Sequence, residues 1–417
     1  MRVLSVVYDL DIGGTQRAAV DFANAYNALG HESALLAVDA VGARRGDLSP
    51  DVALVAAWQV LDDVLSPAPG LIHIHGHGLS CDLVRRLRER YPNAFFVEQN
   101  VFAKVNPWNE FMDRTFLFSD WCMFQYEREP GRKAPASRVP NPIEATSFWP
   151  DAPAGLEVRR QLGIPGEAFV IGRVGQPQTY KWSTTLITVF NQWALENTAA
   201  WLLLVGPPEE VVEAVASSPM KERIRMVDRV EGDTKLRGLY SAMDVFGHIA
   251  SQGETFGYVL VEAALCEVPA ITLSTPWADN SQGEVVVHEV GGLVATTPAG
   301  FLQAMRMLGA RPELAREYGI NARKSTMDRF DAGVVARTAL DVVSGTKERP
   351  APSSLELVRD YRTAVDPPGS IRLLLFRAKF FDLLAVASGV HSIIWWLRRT
   401  LNKRGISRHM LKPSRGR

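Results

Sequence analysis

Two glutamates, Glu254 and Glu262, are separated by seven intervening residues in the segment Ser251-Gln-Gly-Glu-Thr-Phe-Gly-Tyr-Val-Leu-Val-Glu262. The segment predicts a helix that starts near Phe256-Gly257, is capped by Thr255 or a neighbour, and carries Glu262 in its second turn. Free N–H groups and a partial positive charge at such a helix start favour an anionic ligand ahead of it. Gly257 permits close backbone approach, with Phe256 beside it. On one continuous helix, carboxylates eight positions apart lie about 12 Å from each other at 1.5 Å per residue. That span resembles the reach from a ribose, across a pyrophosphate, to the hexose of a nucleotide sugar. Taken alone, the pair is equally well read as a solvated glutamate and a helix-surface glutamate.

Arg173 and Lys181 lie upstream, in the loop Gly172-Arg-Val-Gly-Gln-Pro-Gln-Thr-Tyr-Lys181-Trp182 that follows a predicted strand. Paired cations at a strand's carboxyl end suit a diphosphate, because each charge-assisted bond is worth roughly 1.5–3 kcal/mol and stabilises a leaving group whose charge grows. The same two residues would also serve as ordinary surface charge. Gly13 and Gly14 join the first strand to the first helix, where paired glycines let a turn face its amides toward a ligand. The third glycine of the dinucleotide fingerprint is missing, which argues against a nicotinamide cofactor. His73, His75 and His77 alternate along a strand end. They need no ion there, and His75, beside Gly76, is the one expected to contact a ligand. Asp9-Leu10-Asp11 reads as loop capping, so no metal site is expected. Asn280, Gln282 and Glu284 occupy a polar loop on the same predicted cleft edge, either reading ligand hydroxyls or forming a plain loop.

The elements that must position these groups are short apolar runs alternating with segments of helical period, the pattern of βαβ units around parallel sheets. Val3–Tyr8, Ser33–Val38, Leu71–His75 and Ala94–Glu98 are predicted strands of a first domain, residues 1–145. A Pro-rich connection follows, and Ala168–Val174, Trp201–Val205, Ile224–Val227, Val245–Ile249 and Val268–Leu273 build a second over residues 155–330. Two doubly wound Rossmann-like domains joined this way place a shared ligand in the cleft between them, at the carboxyl ends of strands. Residues 331–345 read as a return helix, 346–370 as a linker and 371–417 as a tail. With 417 residues, 47% hydrophobic and 22% charged, the chain is an ordinary folded mixture. Three cysteines without CxxC spacing fit a reducing compartment, so a cytoplasmic location is expected. Met1-Arg2 leads straight into an apolar strand, without the length of a signal-peptide core.

Together these segments resemble glycosyltransferase family 4, retaining enzymes of the GT-B fold. The resemblance runs through Gly13-Gly14, Arg138-Val-Pro-Asn-Pro-Ile143, Arg173 to Lys181, Leu239-Tyr-Ser-Ala-Met-Asp-Val245, Glu254 to Glu262 and Gly291-Gly-Leu-Val294. It implies that Glu262 binds the nucleotide ribose and Glu254 faces the transferred sugar. Arg173 with Lys181 would hold the diphosphate, the Gly13-Gly14 loop would close over the donor, and the first domain would take the acceptor while the second holds the nucleotide sugar. It further implies sugar transfer from a nucleotide diphosphate sugar to a hydroxyl of a glycan or lipid-linked acceptor, without a cofactor or a protein nucleophile. The chain departs from the family in three places. Its arginine-to-lysine interval is longer, Cys266-Glu-Val-Pro269 replaces Cys-Gly-Val-Pro, and Val97-Glu98-Gln99-Asn100 stands where many members have a histidine. Glu98 or Asn100 is therefore the expected sugar contact. The rival reading is a catalytically silent GT-B protein that binds a nucleotide sugar or acts as a scaffold.

Charge is distributed unevenly. Lys plus Arg equals Asp plus Glu at 46 each, yet residues 371–417 hold 11 basic residues against 1 acidic, and the body holds 35 against 45. An acidic body is unsuited to wrapping nucleic acid. In the tail, Phe376, Phe380, Leu383, Ala387, Val390, Ile394 and Leu397 recur at intervals of four and three, the stripe of an amphipathic helix. Its longest uncharged run, Leu383–Leu397, falls short of the roughly 20 residues that span a bilayer. Trp395-Trp396 beside Arg398-Arg399 suit a peripheral anchor on anionic lipid, and packing on the body or a partner is the alternative.

Overall fold

The computed structural model describes residues 1–346 except 57–60, 62–64, 276 and 277. The expected basic tail at 371–417 and nearly all of the expected linker lie outside the described residues. The first sheet has seven parallel strands in the order β3-β2-β1-β4-β5-β6-β7. These are β1 (Arg2–Asp9), β2 (Glu32–Ala40), β3 (Ala53–Val55), β4 (Leu71–Gly76), β5 (Phe95–Asn100), β6 (Arg114–Leu117) and β7 (Ala136–Arg138). The second has six, in the order β10-β9-β8-β11-β12-β13: β8 (Phe169–Val174), β9 (Ala200–Val205), β10 (Ile224–Val227), β11 (Val245–His248), β12 (Ala270–Leu273) and β13 (Gly292–Ala295). Every ladder in both is parallel. Strands covered on both faces read as continuous apolar runs, which is why Val3-Leu4 and Leu202-Leu203-Leu204 are wholly buried.

In each sheet the strand order reverses beside its first strand, between β1 and β4 and between β8 and β11. Ligand crevices of open α/β sheets form at such switch points. Helix α1 (Gly14–Ala28) follows β1 at the first, and helix α2 (Tyr258–Leu265) follows β11 at the second. The two domains are the halves of a GT-B fold. They meet across packed apolar side chains, with the Phe118 and Phe256 rings 6.0 Å apart. Ser119 Oγ lies 2.6 Å from Ser281 Oγ. Glu284 accepts hydrogen bonds from the Asp120 and Trp121 amides, at 2.8 and 2.7 Å.

The last helix among the described residues, α3 (Ala332–Val343), returns to the first domain and buries Val335, Ala336, Ala339 and Val342 against Phe22, Tyr26 and Leu71. Asp331 caps it, accepting from the Gly333 and Val334 amides at 3.0 and 3.3 Å. Two backbone bonds tie the crossing to the Pro-rich connection, Ile143 N to Phe330 O and Ala332 N to Ile143 O. Among the described residues no helix is long and apolar enough to cross a membrane.

Candidate active site

Two adjoining cavities of about 400 and 450 Å³ occupy the cleft, sharing Gly13, Gly14, Gly175 and Tyr258 in their walls. The N-termini of α1 and α2 both open onto them. First-turn N–H groups have no partner within a helix, so two positive helix ends converge where the cavities join. Gly14 packs closely there: a Cβ would lie 3.3 Å from the Tyr258 ring of the other domain, a tight contact that the ring would have to yield to.

The larger cavity contains Arg173, Lys181 and Glu254. Arg173, one residue before the end of β8, is 1% exposed, yet only one of its nitrogens is satisfied: Nη2 donates to Lys181 O at 2.6 Å, while Nε and Nη1 have no hydrogen-bond partner. Burial lowers it to about 10, which leaves it charged at neutral pH. Lys181 Nζ donates to Glu254 Oε2 at 2.5 Å, and His248 Nε2 lies 3.4 Å from Glu254 Oε1. Burial opposes charge on Glu254, but Lys181 and His248 outweigh it and hold the carboxyl near 2. Burial and the neighbouring Arg173 depress His248 to about 4, so it is a neutral donor. Gln282, a residue of the polar loop, accepts from the Glu254 amide at 3.0 Å and so fixes the backbone beside the carboxylate.

The helix begins at Tyr258, next to the expected Phe256-Gly257 start, and carries Glu262 in its second turn as expected. Its cap is Gly257 at φ 94°, not Thr255, and Glu254 lies in the loop before it. Gly253 at φ 71° turns the chain there, where a Cβ would meet Asp279 O at 1.8 Å. The left-handed Gly253 and Gly257 shape the loop ahead of the helix and set Glu254 and Glu262 in different cavities.

Glu262 lines the smaller cavity with Gly13, Gly14, Arg229 and Val230. Its Oε2 accepts from Tyr240 Oη at 2.7 Å and its Oε1 from Arg17 Nη1 at 2.7 Å. Arg17 comes from α1 of the opposite domain and also pairs with Asp233 at 3.3 Å and Asp21 at 3.6 Å. Burial raises the Glu262 carboxyl and Arg17 counteracts it. Arg17 follows Gly13-Gly14 closely in the chain, but no local pattern marks its role, since its partner is 245 residues away.

The remaining expected contacts separate by strand face. His75 on β4 lines the larger cavity and is paired in register with Gln99 on β5, which lines it too. Glu98 and Asn100 fall on the other face and line neither cavity. Glu98 Oε1 accepts from Asn100 Nδ2 at 3.3 Å, from Trp108 Nε1 at 3.2 Å and from Asn106 Nδ2, holding the following loop. Period-two alternation was the signal that selects Gln99. Asn280 is buried under its own loop, where its Oδ1 accepts from Ser274 Oγ and Thr275 N at 3.0 and 2.7 Å. Asp9 Oδ1 accepts from the Asp11 amide and from Gln16 Nε2, at 2.9 and 2.7 Å.

Burial raises Glu98 from the ordinary 4.5 to about 7. Between those values the folded chain keeps a proton that the unfolded chain has released, so this residue makes stability fall as pH rises through the window and level off above it. Glu98→Gln removes the proton exchange and keeps an Oε1 acceptor. Its urea-unfolding free energies at pH 5 and pH 8 are expected to differ by about 1–3 kcal/mol less than those of the parent. An unchanged pH slope would show Glu98 ionised throughout.

Residues 156–325, nearly all of the second domain, match the family model for glycosyl transferases group 1. The D-inositol 3-phosphate glycosyltransferase of Kineococcus radiotolerans is 28% identical over 224 residues, 49% of this chain and 50% of that protein. The alpha-maltose-1-phosphate synthase of Mycolicibacterium smegmatis is 25% identical over 217 residues, 49% of this chain and 55% of that one. The chain spans about half the length of the curated relatives it matches. Among solved structures, Anabaena HepE in complex with UDP and glucose superposes with a TM-score of 0.65 at 16% identity, over 83% of this chain and 100% of that one. A glycosyltransferase from Rickettsia africae gives 0.67 at 14% identity, over 83% and 98%.

Proposed function

We propose that this GT-B chain is a retaining glycosyltransferase that moves a sugar from a nucleotide diphosphate sugar to a hydroxyl acceptor. The observation that carries the reading is Arg173: a buried guanidinium with two unpartnered nitrogens, in a cavity wall between two helix N-termini. A buried cation whose donors lack partners is costly unless an anion completes it. A diphosphate there would gain Arg173, Lys181 and the helix ends as its charge grows during cleavage. The nucleoside would then occupy the smaller cavity with its ribose at Glu262, and the sugar would face Glu254. That solved relatives hold UDP and glucose or UDP-glucose supports the same donor class.

In this mechanism the bond from the sugar's anomeric carbon to the diphosphate oxygen breaks, and the acceptor oxygen bonds that carbon from the same face. The hydroxyl proton passes to the departing phosphate oxygen. Glu254 is held ionised by Lys181 and His248. It is therefore a fixed negative charge beside the positive charge that develops on the sugar, and no proton donor. The resemblance to family 4, a glycan or lipid-linked acceptor, and a cytoplasmic chain attached to the inner membrane face by residues 371–417 belong to the same proposal.

Calorimetric titration with UDP, GDP, ADP and dTDP and their hexose conjugates tests it. One nucleotide family is expected to bind, with affinity reduced tenfold or more in Glu262→Ala. Binding of none would favour a scaffold without donor chemistry.

A further inference from the structure

The larger cavity changes chemistry along its length. Its second-domain wall carries the charges Arg173, Lys181 and Glu254, whereas among the described residues no Lys, Arg, Asp or Glu of the first domain lines it. The first-domain wall instead presents His75, His77, Gln99, Asn141 and Phe102. His75 is fully buried with its ring stacked 4.3 Å from that of His73, and neither of its ring nitrogens has a hydrogen-bond partner. Gln99 is fixed by donating to Val139 O and Asn141 Oδ1, each at 3.1 Å.

Phe102 stands at the mouth with 52% exposure, edge-on to His77 at 5.7 Å between ring centroids, and Tyr180 of the second domain lines the same cavity at 44% exposure. The loop is built to keep Phe102 outside. Asn100 brackets it, donating to Lys104 O at 2.7 Å and accepting from Lys104 N at 3.3 Å. Next to Phe102, Ala103 is buried in the left-handed region at φ 52°, a conformation that a residue with a Cβ adopts only when its surroundings impose it. An aromatic ring displayed at such a cost calls for a ligand with an apolar face.

Given the family resemblance, which places the acceptor on the first domain, we infer that the acceptor this wall selects is an uncharged pyranose ring laid by its C–H face on Phe102, with hydroxyls read by His75, Gln99 and Asn141. The inference rests on the glycosyl-transfer reading and deepens it. A phosphate ester would need a cation on this wall, and both cavity cations lie at the Glu254 end. A bare hydrocarbon chain would leave the His75 nitrogens dry and unpaired. An aromatic face combined with amide and imidazole groups matches a ring that is apolar on one side and rimmed with hydroxyls.

The test is saturation-transfer NMR on the full chain saturated with UDP, using methyl glucoside, mannoside, galactoside and N-acetylglucosaminide beside glucose 1-phosphate and inositol 1-phosphate. At least one methyl pyranoside is expected to bind, with saturation strongest on the C–H bonds of one face. Phe102→Ala should weaken that binding tenfold or more while Phe102→Tyr retains it, and calorimetry should give both variants the parent's UDP affinity, which reports an intact fold. Absence of pyranoside binding to the UDP complex, equal binding by Phe102→Ala, or tighter binding of a phosphate ester would overturn the inference and leave the donor reading standing. Failure of UDP and the other nucleotides to bind would remove the glycosyl-transfer reading and this one with it.

Discussion

Arg173→Met is expected to reduce nucleotide release from a donor sugar by about 10²–10³-fold while leaving the protein as stable as its parent or more so. The two halves of this prediction have one cause. Arg173 is buried with two unpartnered nitrogens, so in the ligand-free fold its charge is mostly uncompensated, and the closest rings are those of Trp182 and Phe246 at 5.3 and 5.6 Å. Methionine is flexible and apolar, packs well against those rings, and forfeits one bond, to Lys181 O. With a diphosphate bound the same charge becomes the partner of a growing anion, and its removal costs about 3–4 kcal/mol of barrier lowering. His248 supplies an independent readout. Arg173 contributes to holding it near 4, so its NMR titration should move upward in the variant. Full turnover in Arg173→Met would separate the residue from the leaving group, and a variant that loses activity and stability together would make it structural.

The doubly wound order was readable because parallel strands covered on both faces leave unbroken apolar runs, and Val3–Tyr8, Leu71–His75 and Ala168–Val174 came within a residue or two of the observed bounds. Arg173, Lys181 and Glu254 meet because each follows, or lies near, the carboxyl end of a strand, a position the sequence does mark. Two things escaped it for physical reasons. Glu254 reaches its place through Gly253 and Gly257 at φ 71° and 94°, and a glycine's type does not say whether it turns left-handed or simply makes room. Glu98 and Asn100 are the expected sugar contacts because they are polar residues standing where many family members have a histidine. Strand parity turns them away from the cavity and gives Gln99 that face, leaving the polar pair to fix the loop behind Phe102. Polarity names a group that needs a partner, and only register decides whether the partner is ligand or protein.

Arg17→Ala is expected to act oppositely to Arg173→Met on stability, because Arg17 is a buried arginine whose Nη1 and Nη2 donate to Glu262 and Asp233 and whose charge is balanced by carboxylates. It pairs with Glu262, Asp233 and Asp21, and the rings of Phe148 and Tyr258 flank its guanidinium at 5.4 and 5.5 Å. Removing one member of a buried ion pair leaves the others uncompensated and costs about 3–5 kcal/mol, readable as a lower urea midpoint. Since Arg17 lies on α1 of the first domain and Glu262 on α2 of the second, part of that loss should appear as looser domain closure, a larger radius of gyration in solution scattering. Nucleotide affinity should fall as well. Each carboxylate oxygen of Glu262 has taken one hydrogen bond, from Arg17 and from Tyr240, and a carboxylate can accept about four, so ribose hydroxyls have room beside the arginine. Burial already raises Glu262, and without Arg17 it rises further toward the protonated form, which is the weaker acceptor. Nucleotide affinity in Arg17→Ala should therefore recover partly as pH increases and Glu262 ionises. Tighter nucleotide binding in the variant at every pH would mean instead that Arg17 competes with the ribose for Glu262.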